Sequence, residues 1–153
     1  MGEEIQSLDE LRVFARKFLG TLPPQEGGAT VVGLVGELGS GKTSFVQCVA
    51  HELGIEERVL SPTFVIMKTY DLRPTPHSRS FKHLVHIDAY RLERGEELEV
   101  LGWKEILDNP GNLVLVEWAE KIKEILPPST ILLSFEYVDE TTRAITVHDS
   151  EKN

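Results

Sequence analysis

Apolar positions recur along the chain with two different periods, one helical and one typical of buried strands. Ser7 and Glu10 stand at capping-box spacing, and the apolar residues that follow have the period of an amphipathic helix. The next segment, ATVVGLVG at residues 29–36, is almost wholly apolar, which predicts a short strand buried in a parallel sheet. The apolar positions of the first helix are Leu11, Phe14, Ala15, Phe18 and Leu19.

The same periodicity divides the rest of the chain into alternating helices and strands. It predicts a helix from Lys42 to Gly54, a second helical stretch weakened by Gly95 and Gly102, and a short helix in EKIKEILPP. Strands separated by helices indicate a three-layer α/β fold with a mostly parallel central sheet. The predicted later strands are TFVIMKTY, HLVHIDAY and LVLVEW, followed by a C-terminal antiparallel hairpin of TILLSFEYV and RAITVHD.

The length and charge of the chain narrow the functional classes. Its 153 residues, 41% apolar, predict one domain over residues 1–150 with a tail at 151–153. The net charge of −9 disfavours direct nucleic-acid binding, because such proteins usually concentrate positive charge on one face. No apolar run has membrane-span length and no secretory signal is visible, so we expect a cytoplasmic protein. The single cysteine, Cys48, is expected to be a buried thiol.

The segment GELGSGKT, from Gly36 to Thr43, satisfies the P-loop pattern G-x-x-x-x-G-K-[ST] in full. It follows a predicted strand and opens a predicted helix, so its backbone N–H groups and the helix N-terminus can cradle phosphates. Lys42 is expected to contact the β- and γ-phosphates, and the Thr43 hydroxyl to ligate Mg²⁺. The fold is therefore predicted to be a P-loop NTPase domain. The predicted nucleotide-binding residues are Gly36, Glu37, Leu38, Gly39, Ser40, Gly41, Lys42, Thr43 and Ser44.

A P-loop enzyme also needs an acidic group, because Mg²⁺ prefers oxygen ligands and the attacking water must be oriented. Asp88 closes HLVHID and Glu117 closes LVLVE, so both carboxylates are predicted at the C-terminal edge of the sheet. Either can be the Walker B acid and metal ligand. Each alone is equally well explained as a polar end of a strand.

Four further residues have both a functional and a structural interpretation. Thr63 in LSPTF can reach the metal or γ-phosphate as a switch threonine does, or can be an ordinary strand residue. His86 is expected to be structural, because His86 and Asp88 lack the additional ligands of a zinc site. Trp118 is either a core aromatic or a residue over the nucleotide. Arg91 is more often a salt-bridge residue than an arginine finger.

Motifs absent from the sequence favour ATP as the nucleotide. The chain has no N-K-x-D element for reading guanine and no transporter-type signature. A small-molecule kinase remains an alternative, but such an enzyme generally needs an arginine-bearing lid. The one lid-sized candidate is the loop RPTPHSRS, which contains Arg73 and Arg79.

Five segments together resemble the TsaE (YjeE) family, small P-loop ATPases of bacterial tRNA threonylcarbamoyladenosine synthesis. None is diagnostic alone, but their order and separation are similar to the family pattern over Leu8 to Val147. The loop from Arg73 to Lys82 is longer than that pattern leads us to expect. The five segments are GELGSGKTSF, SPTF, HIDAYRL, EELEVLGW and VEWAEK.

The resemblance implies a single P-loop α/β domain that hydrolyses ATP with Mg²⁺ and acts with TsaD and TsaB, which hold the tRNA. It implies that Thr63 is the switch threonine, Asp88 an essential acid, Glu117 the metal-linked acid and Trp118 its neighbouring aromatic. The candidate catalytic residues are Lys42, Thr63, Asp88 and Glu117. Contact with tRNA is expected only through the partners. A nucleotide-dependent binding switch with negligible hydrolysis is the third alternative, beside the ATPase and the kinase.

Overall fold

The structure is a computed structural model that describes residues 2–23, 27–59, 66–76, 78 and 80–148. Seven strands of this described part form one sheet in the order β1-β7-β6-β2-β5-β4-β3. The strands are β1 (Gly2–Ile5), β2 (Thr30–Gly36), β3 (Met67–Asp71), β4 (His83–Asp88), β5 (Asn112–Glu117), β6 (Ile131–Asp139) and β7 (Thr142–His148).

The four central strands, β6, β2, β5 and β4, run parallel, and both edges of the sheet are antiparallel. The C-terminal ends of β2, β4 and β5 consequently meet at one edge of the sheet. The register aligns Asp88 on β4 with Glu117 on β5, and Leu34 on β2 with Glu117. The predicted parallel centre and C-terminal hairpin are confirmed.

Helices cover both faces of the sheet and form a separate hydrophobic core on each. On one face lie α1 (Leu8–Thr21) and α2 (Lys42–Glu52), and on the other α3 (Glu96–Glu99), α4 (Trp103–Asp108) and a 3₁₀ helix (Ala119–Ile125). Aromatic rings join the layers of the first core, where the ring centroids of Phe45 and Phe135 are 5.6 Å apart. Cys48 is buried in this core, as predicted.

Local signals account for the ends of two helices. The Ser7 side chain accepts a hydrogen bond from the Glu10 amide at 3.1 Å, so the predicted N-cap of α1 is confirmed. The Glu10 carboxylate accepts from the Gln6 amide rather than from Ser7. Gly102 has φ 85° and separates α3 from α4, which confirms the predicted break, since this backbone conformation favours glycine.

Two features of the fold differ from the sequence prediction or lie beyond the structure. Strand β1 was not predicted, because only Ile5 of its four residues is buried and the segment has no apolar alternation; pairing with β7 stabilises it. The predicted strand TFVIMKTY is described only from residue 66 onward, so Thr63 lies outside the described residues. Within the described ranges, no helix is both long and apolar enough to cross a bilayer.

Candidate nucleotide-binding site

A cavity opens at the C-terminal edge of the parallel strands, where open α/β sheets bind ligands. It has a volume of about 680 Å³, and its lining includes the P-loop, Asp88, Glu117 and Trp118. The sheet topology therefore brings together segments that are far apart in sequence. Of the predicted nucleotide-binding residues, this lining contains Leu38 to Ser44 and Trp118.

Glycine is required at both ends of the P-loop turn. Gly36 ends β2 with φ 149°, and a Cβ at this position would lie 2.5 Å from the carbonyl oxygen of Phe135. Gly41 immediately precedes α2 with φ 106°, and no side chain of the described residues caps the helix. The first amide groups of a helix have no intrahelical acceptor, so the N-terminus of α2 can bind an anion such as a phosphate.

Lys42 is the first residue of α2 and is buried with its ammonium group inside the P-loop. Its Nζ donates hydrogen bonds to the carbonyl oxygens of Gly36 and Glu37, the latter at 3.0 Å. Burial lowers the pKa of Lys42, and the carboxylates of Glu120, Glu117 and Asp88 oppose this effect. The ammonium group thus lies beside the loop that would hold phosphate oxygens, with its charge partly compensated.

Thr43 and Glu117 connect the P-loop to the end of β5. The Thr43 hydroxyl donates to Glu117 Oε1 at 2.7 Å, and the second carboxylate oxygen, Oε2, lies 2.6 Å from His86 Nε2. Glu117 is only 2% exposed and His86 is fully buried. This carboxylate is therefore held at both oxygens inside the protein.

Asp88 is the neighbour of Glu117 across the parallel strands and is also buried, at 7% exposure. Its Oδ1 accepts a hydrogen bond from the Tyr90 amide at 3.0 Å. Both acids line the cavity with Thr43, so the site contains a hydroxyl and two carboxylates. Oxygen donors of this kind suit Mg²⁺.

Trp118 covers the ammonium group of Lys42. The Lys42 Nζ lies 4.0 Å from the centroid of the Trp118 ring, within cation–π distance, and the Tyr90 ring lies 5.0 Å from the same ring. Trp118 has φ 59°, a left-handed conformation that is uncommon outside glycine. The sequence left open whether Trp118 is a core aromatic or a residue over the nucleotide. In the structure it is half-buried and lines the cavity.

The family model described as "Threonylcarbamoyl adenosine biosynthesis protein TsaE" matches residues 5–145. The chain belongs to the TsaE family. A Rickettsia prowazekii relative named "tRNA threonylcarbamoyladenosine biosynthesis protein TsaE" is 34% identical over 145 residues, covering 94% of this chain and 92% of the relative. A Bacillus subtilis relative of the same name is 40% identical over 116 residues, with 76% and 67% covered.

A solved structure supports the same assignment. The crystal structure of Bacillus subtilis YdiB matches with a TM-score of 0.73 at 27% identity, and the match covers 98% of this chain and 85% of that chain. Together with the sequence relatives, this similarity confirms the resemblance drawn from the motifs and the predicted fold class.

Sequence reasoning missed one wall of the cavity in this TsaE-family chain. That wall is formed by the end of β1, the start of α1 and the β6–β7 hairpin. In this hairpin, Arg143 on β7 donates through Nε to the P-loop carbonyl of Gly39 at 3.2 Å. No motif marks these positions, because the packing of α1 and the pairing of β1, β6 and β7 bring them to the site. The wall consists of Ile5, Ser7, Leu8, Leu11, Glu140, Thr141 and Arg143.

The remaining candidates have less direct positions. Leu38 is 83% exposed, while the buried Ser40 hydroxyl has no hydrogen-bond partner in the described part of the chain. Arg91 also lines the cavity. Among the described residues, no cluster of three or more His, Cys, Asp or Glu forms a metal site.

Proposed function

We propose that this chain binds ATP with Mg²⁺ and hydrolyses it as a component of tRNA threonylcarbamoyladenosine biosynthesis. The relatives carry that process in their names, and the chain has a complete P-loop beside two strand-end acids. We further propose that TsaD and TsaB are its partners and that it acts in the cytoplasm. Residues 1–150 are proposed as one nucleotide-binding domain, followed by a tail at 151–153.

The hydrogen bond between Thr43 and Glu117 carries this proposal. The Thr43 hydroxyl donates a hydrogen bond to Glu117 Oε1 at 2.7 Å. Because its hydrogen points at the carboxylate, the lone pairs of the hydroxyl oxygen remain available for a cation. Asp88 is adjacent and can hold a metal-bound or attacking water. Mg²⁺ at this position would supply charge neutralisation of the phosphates. Thr43 with Asp88 or Glu117 would hold it.

The P-loop residues have separate tasks in this proposal. The N-terminus of α2 and the loop amides bind phosphate oxygens, and Lys42 exchanges its carbonyl partners for the β- and γ-phosphates. Loss of the two carbonyl contacts is offset by charge-assisted hydrogen bonds to phosphate. Trp118 then limits access of bulk water to the ammonium group. Thr63 remains a predicted switch residue.

The wall beyond the P-loop is suited to the nucleoside. Leu8 and Leu11 present apolar side chains there. Glu140, Thr141 and Arg143 present polar or charged groups. Sites for small molecules commonly combine an apolar surface with a few polar groups that fix orientation. We therefore assign the adenosine half of ATP to this end of the cavity.

The kinase alternative receives no support from the loop that suggested it. This loop connects β3 to the start of β4 and bonds to the start of β5 through the Lys82 amide and the Gly111 carbonyl. Because β4 and β5 are parallel to β2, their starts lie at the edge opposite the P-loop. None of the described residues of this loop, Arg73 included, lines the cavity.

The deciding experiment measures ATP turnover of the purified chain, alone and with TsaB and TsaD. We expect low turnover alone and a clear increase with both partners, lost in Glu117→Ala. A matched control is Glu136→Ala, an exposed position on β6, which should behave as the wild type. Phosphate appearing on a small acceptor would instead support a kinase, and unchanged turnover with both partners would contradict the proposal.

A further inference from the structure

His86 lies next to the site, although the sequence pattern predicts only a structural role for it. It stands on β4 two residues before Asp88, on the same face of the strand. Its side chain is fully buried, and its Nε2 lies 2.6 Å from Glu117 Oε2. A fully buried imidazole in contact with a proposed metal-linked acid calls for a physical reason.

The neighbours of His86 on this face are apolar, so burial of its imidazole lowers the stability of the fold. The surrounding positions of β4 and β5 are Leu84, Leu113 and Leu115, all in the first core. The second ring nitrogen, Nδ1, is buried without a hydrogen-bond partner in the described part of the chain. Since burying an unpaired polar atom is unfavourable, a leucine would be the less costly residue if packing were the only requirement.

The benefit lies in the arrangement of Glu117. The Thr43 hydroxyl donates to one carboxylate oxygen. Since an ionised carboxylate can only accept, the 2.6 Å contact with the other oxygen requires His86 to be the donor, as the Nε2–H tautomer. With both oxygens fixed, the carboxylate has one orientation, and the Thr43 hydroxyl can point its proton in only one direction. The Thr43 lone pairs are thereby turned away from Glu117.

We propose that His86 is a positioning residue that fixes Glu117 and, through it, prepares the Thr43 hydroxyl for Mg²⁺. The inference rests on the proposed nucleotide-binding function and assigns His86 no contact with substrate. Groups that orient a metal ligand from behind commonly change metal affinity by 10- to 100-fold when removed. An effect of this kind separates positioning from packing.

The test compares three variants in ligand-free and nucleotide-bound protein. His86→Leu removes the donor, His86→Gln offers an amide nitrogen near the Nε2 position, and His83→Gln is the control. His83 lies at the other end of the same strand and contacts Asp71. Binding of a fluorescent ATP analogue is measured first in EDTA and then during titration with Mg²⁺, and thermal unfolding confirms that each variant folds.

We expect His86→Leu to bind the analogue in EDTA as the wild type does, but to need about 10-fold more Mg²⁺ for half-saturation. His86→Gln should recover most of this loss, and His83→Gln should show none. The proposal is overturned if His86→Leu titrates as the wild type, or if His86→Gln loses as much as His86→Leu. If His86→Leu does not fold, His86→Asn replaces it, since its shorter amide does not reach Oε2.

A second measurement separates this proposal from the proposed function. Long-range ¹H–¹⁵N NMR spectra of the ligand-free protein should identify His86 as the Nε2–H tautomer, with its signals shifted in Glu117→Gln. An Nδ1–H tautomer would overturn the positioning role even if ATP binds. Absence of any nucleotide binding by the wild type, with the Nε2–H tautomer present, would instead overturn the proposed function and with it the role in Mg²⁺ binding.

Discussion

The P-loop and the strand ends that face it are built in different ways. The P-loop is one continuous segment, Gly36 to Thr43, whose geometry depends on its own glycines and on the start of α2. The facing group of His86, Asp88 and Glu117 comes from two strands and depends on the register between β4 and β5. A local motif thus provides the proposed phosphate site, whereas tertiary structure provides the acids.

This difference explains how far the sequence could predict the site. The P-loop and the position of both acids at strand ends follow from short patterns in the sequence. In the structure, residues of the P-loop and both acids line the cavity. The bonding of Glu117 to Thr43 and His86 could not be predicted, because a one-residue slip of β5 would turn Glu117 to the other face. The contributions of β1 and Arg143 to the cavity could not be predicted either, because they depend on the pairing of β1, β6 and β7.

The largest expected effect comes from the P-loop side, at Lys42. Lys42→Ala should lower ATP turnover in the presence of the partners by about 100-fold or more, because it removes a preorganised positive charge. Phosphate release measures this loss. Lys68→Ala, at an exposed ion pair with Glu57, is the matched control and should have normal turnover. Turnover of Lys42→Ala near the wild-type rate would refute the assignment of the P-loop.

On the facing side, Glu117→Gln should affect both stability and metal dependence. The amide keeps the shape of the side chain but loses the charged acceptor for Thr43 and His86, at an expected cost of about 1–3 kcal/mol in the free energy of unfolding. Urea denaturation measures this cost. Asp88→Asn should reduce turnover with a smaller loss of stability, because Asp88 is the more exposed acid. Equal destabilisation by both variants would contradict the different roles.

Gly41→Ala tests the local geometry of the P-loop. The residue has φ 106°, so a side chain should destabilise the fold by about 1–2 kcal/mol and weaken nucleotide binding. Gly20→Ala is the opposite control, because Gly20 lies within α1 and a Cβ there meets no atom within 4 Å. That variant should be about 0.5–1 kcal/mol more stable. Thermal unfolding of both variants measures these changes, with a lower melting temperature expected for Gly41→Ala and a higher one for Gly20→Ala.

The smallest expected effect concerns the contact between the hairpin and the P-loop. Arg143→Ala removes the bond to the Gly39 carbonyl and a polar group of the nucleoside wall, so nucleotide affinity should fall by about 3- to 10-fold, as expected for a net hydrogen bond of 0.5–1.5 kcal/mol. Isothermal titration with ATP measures the change. An unaltered affinity would indicate that the nucleoside does not use this wall.

The placement of Trp118 over Lys42 also gives the protein two distinct optical reporters. Its two tryptophans occupy different surroundings. Trp118 lines the cavity, whereas Trp103 is buried in the core on the α3–α4 face, where its indole donates to the Ile125 carbonyl. Intrinsic fluorescence from Trp118 should therefore respond when the Lys42 ammonium changes partners. With Trp103 replaced by phenylalanine, the phosphate-binding step can be followed in real time without an added dye.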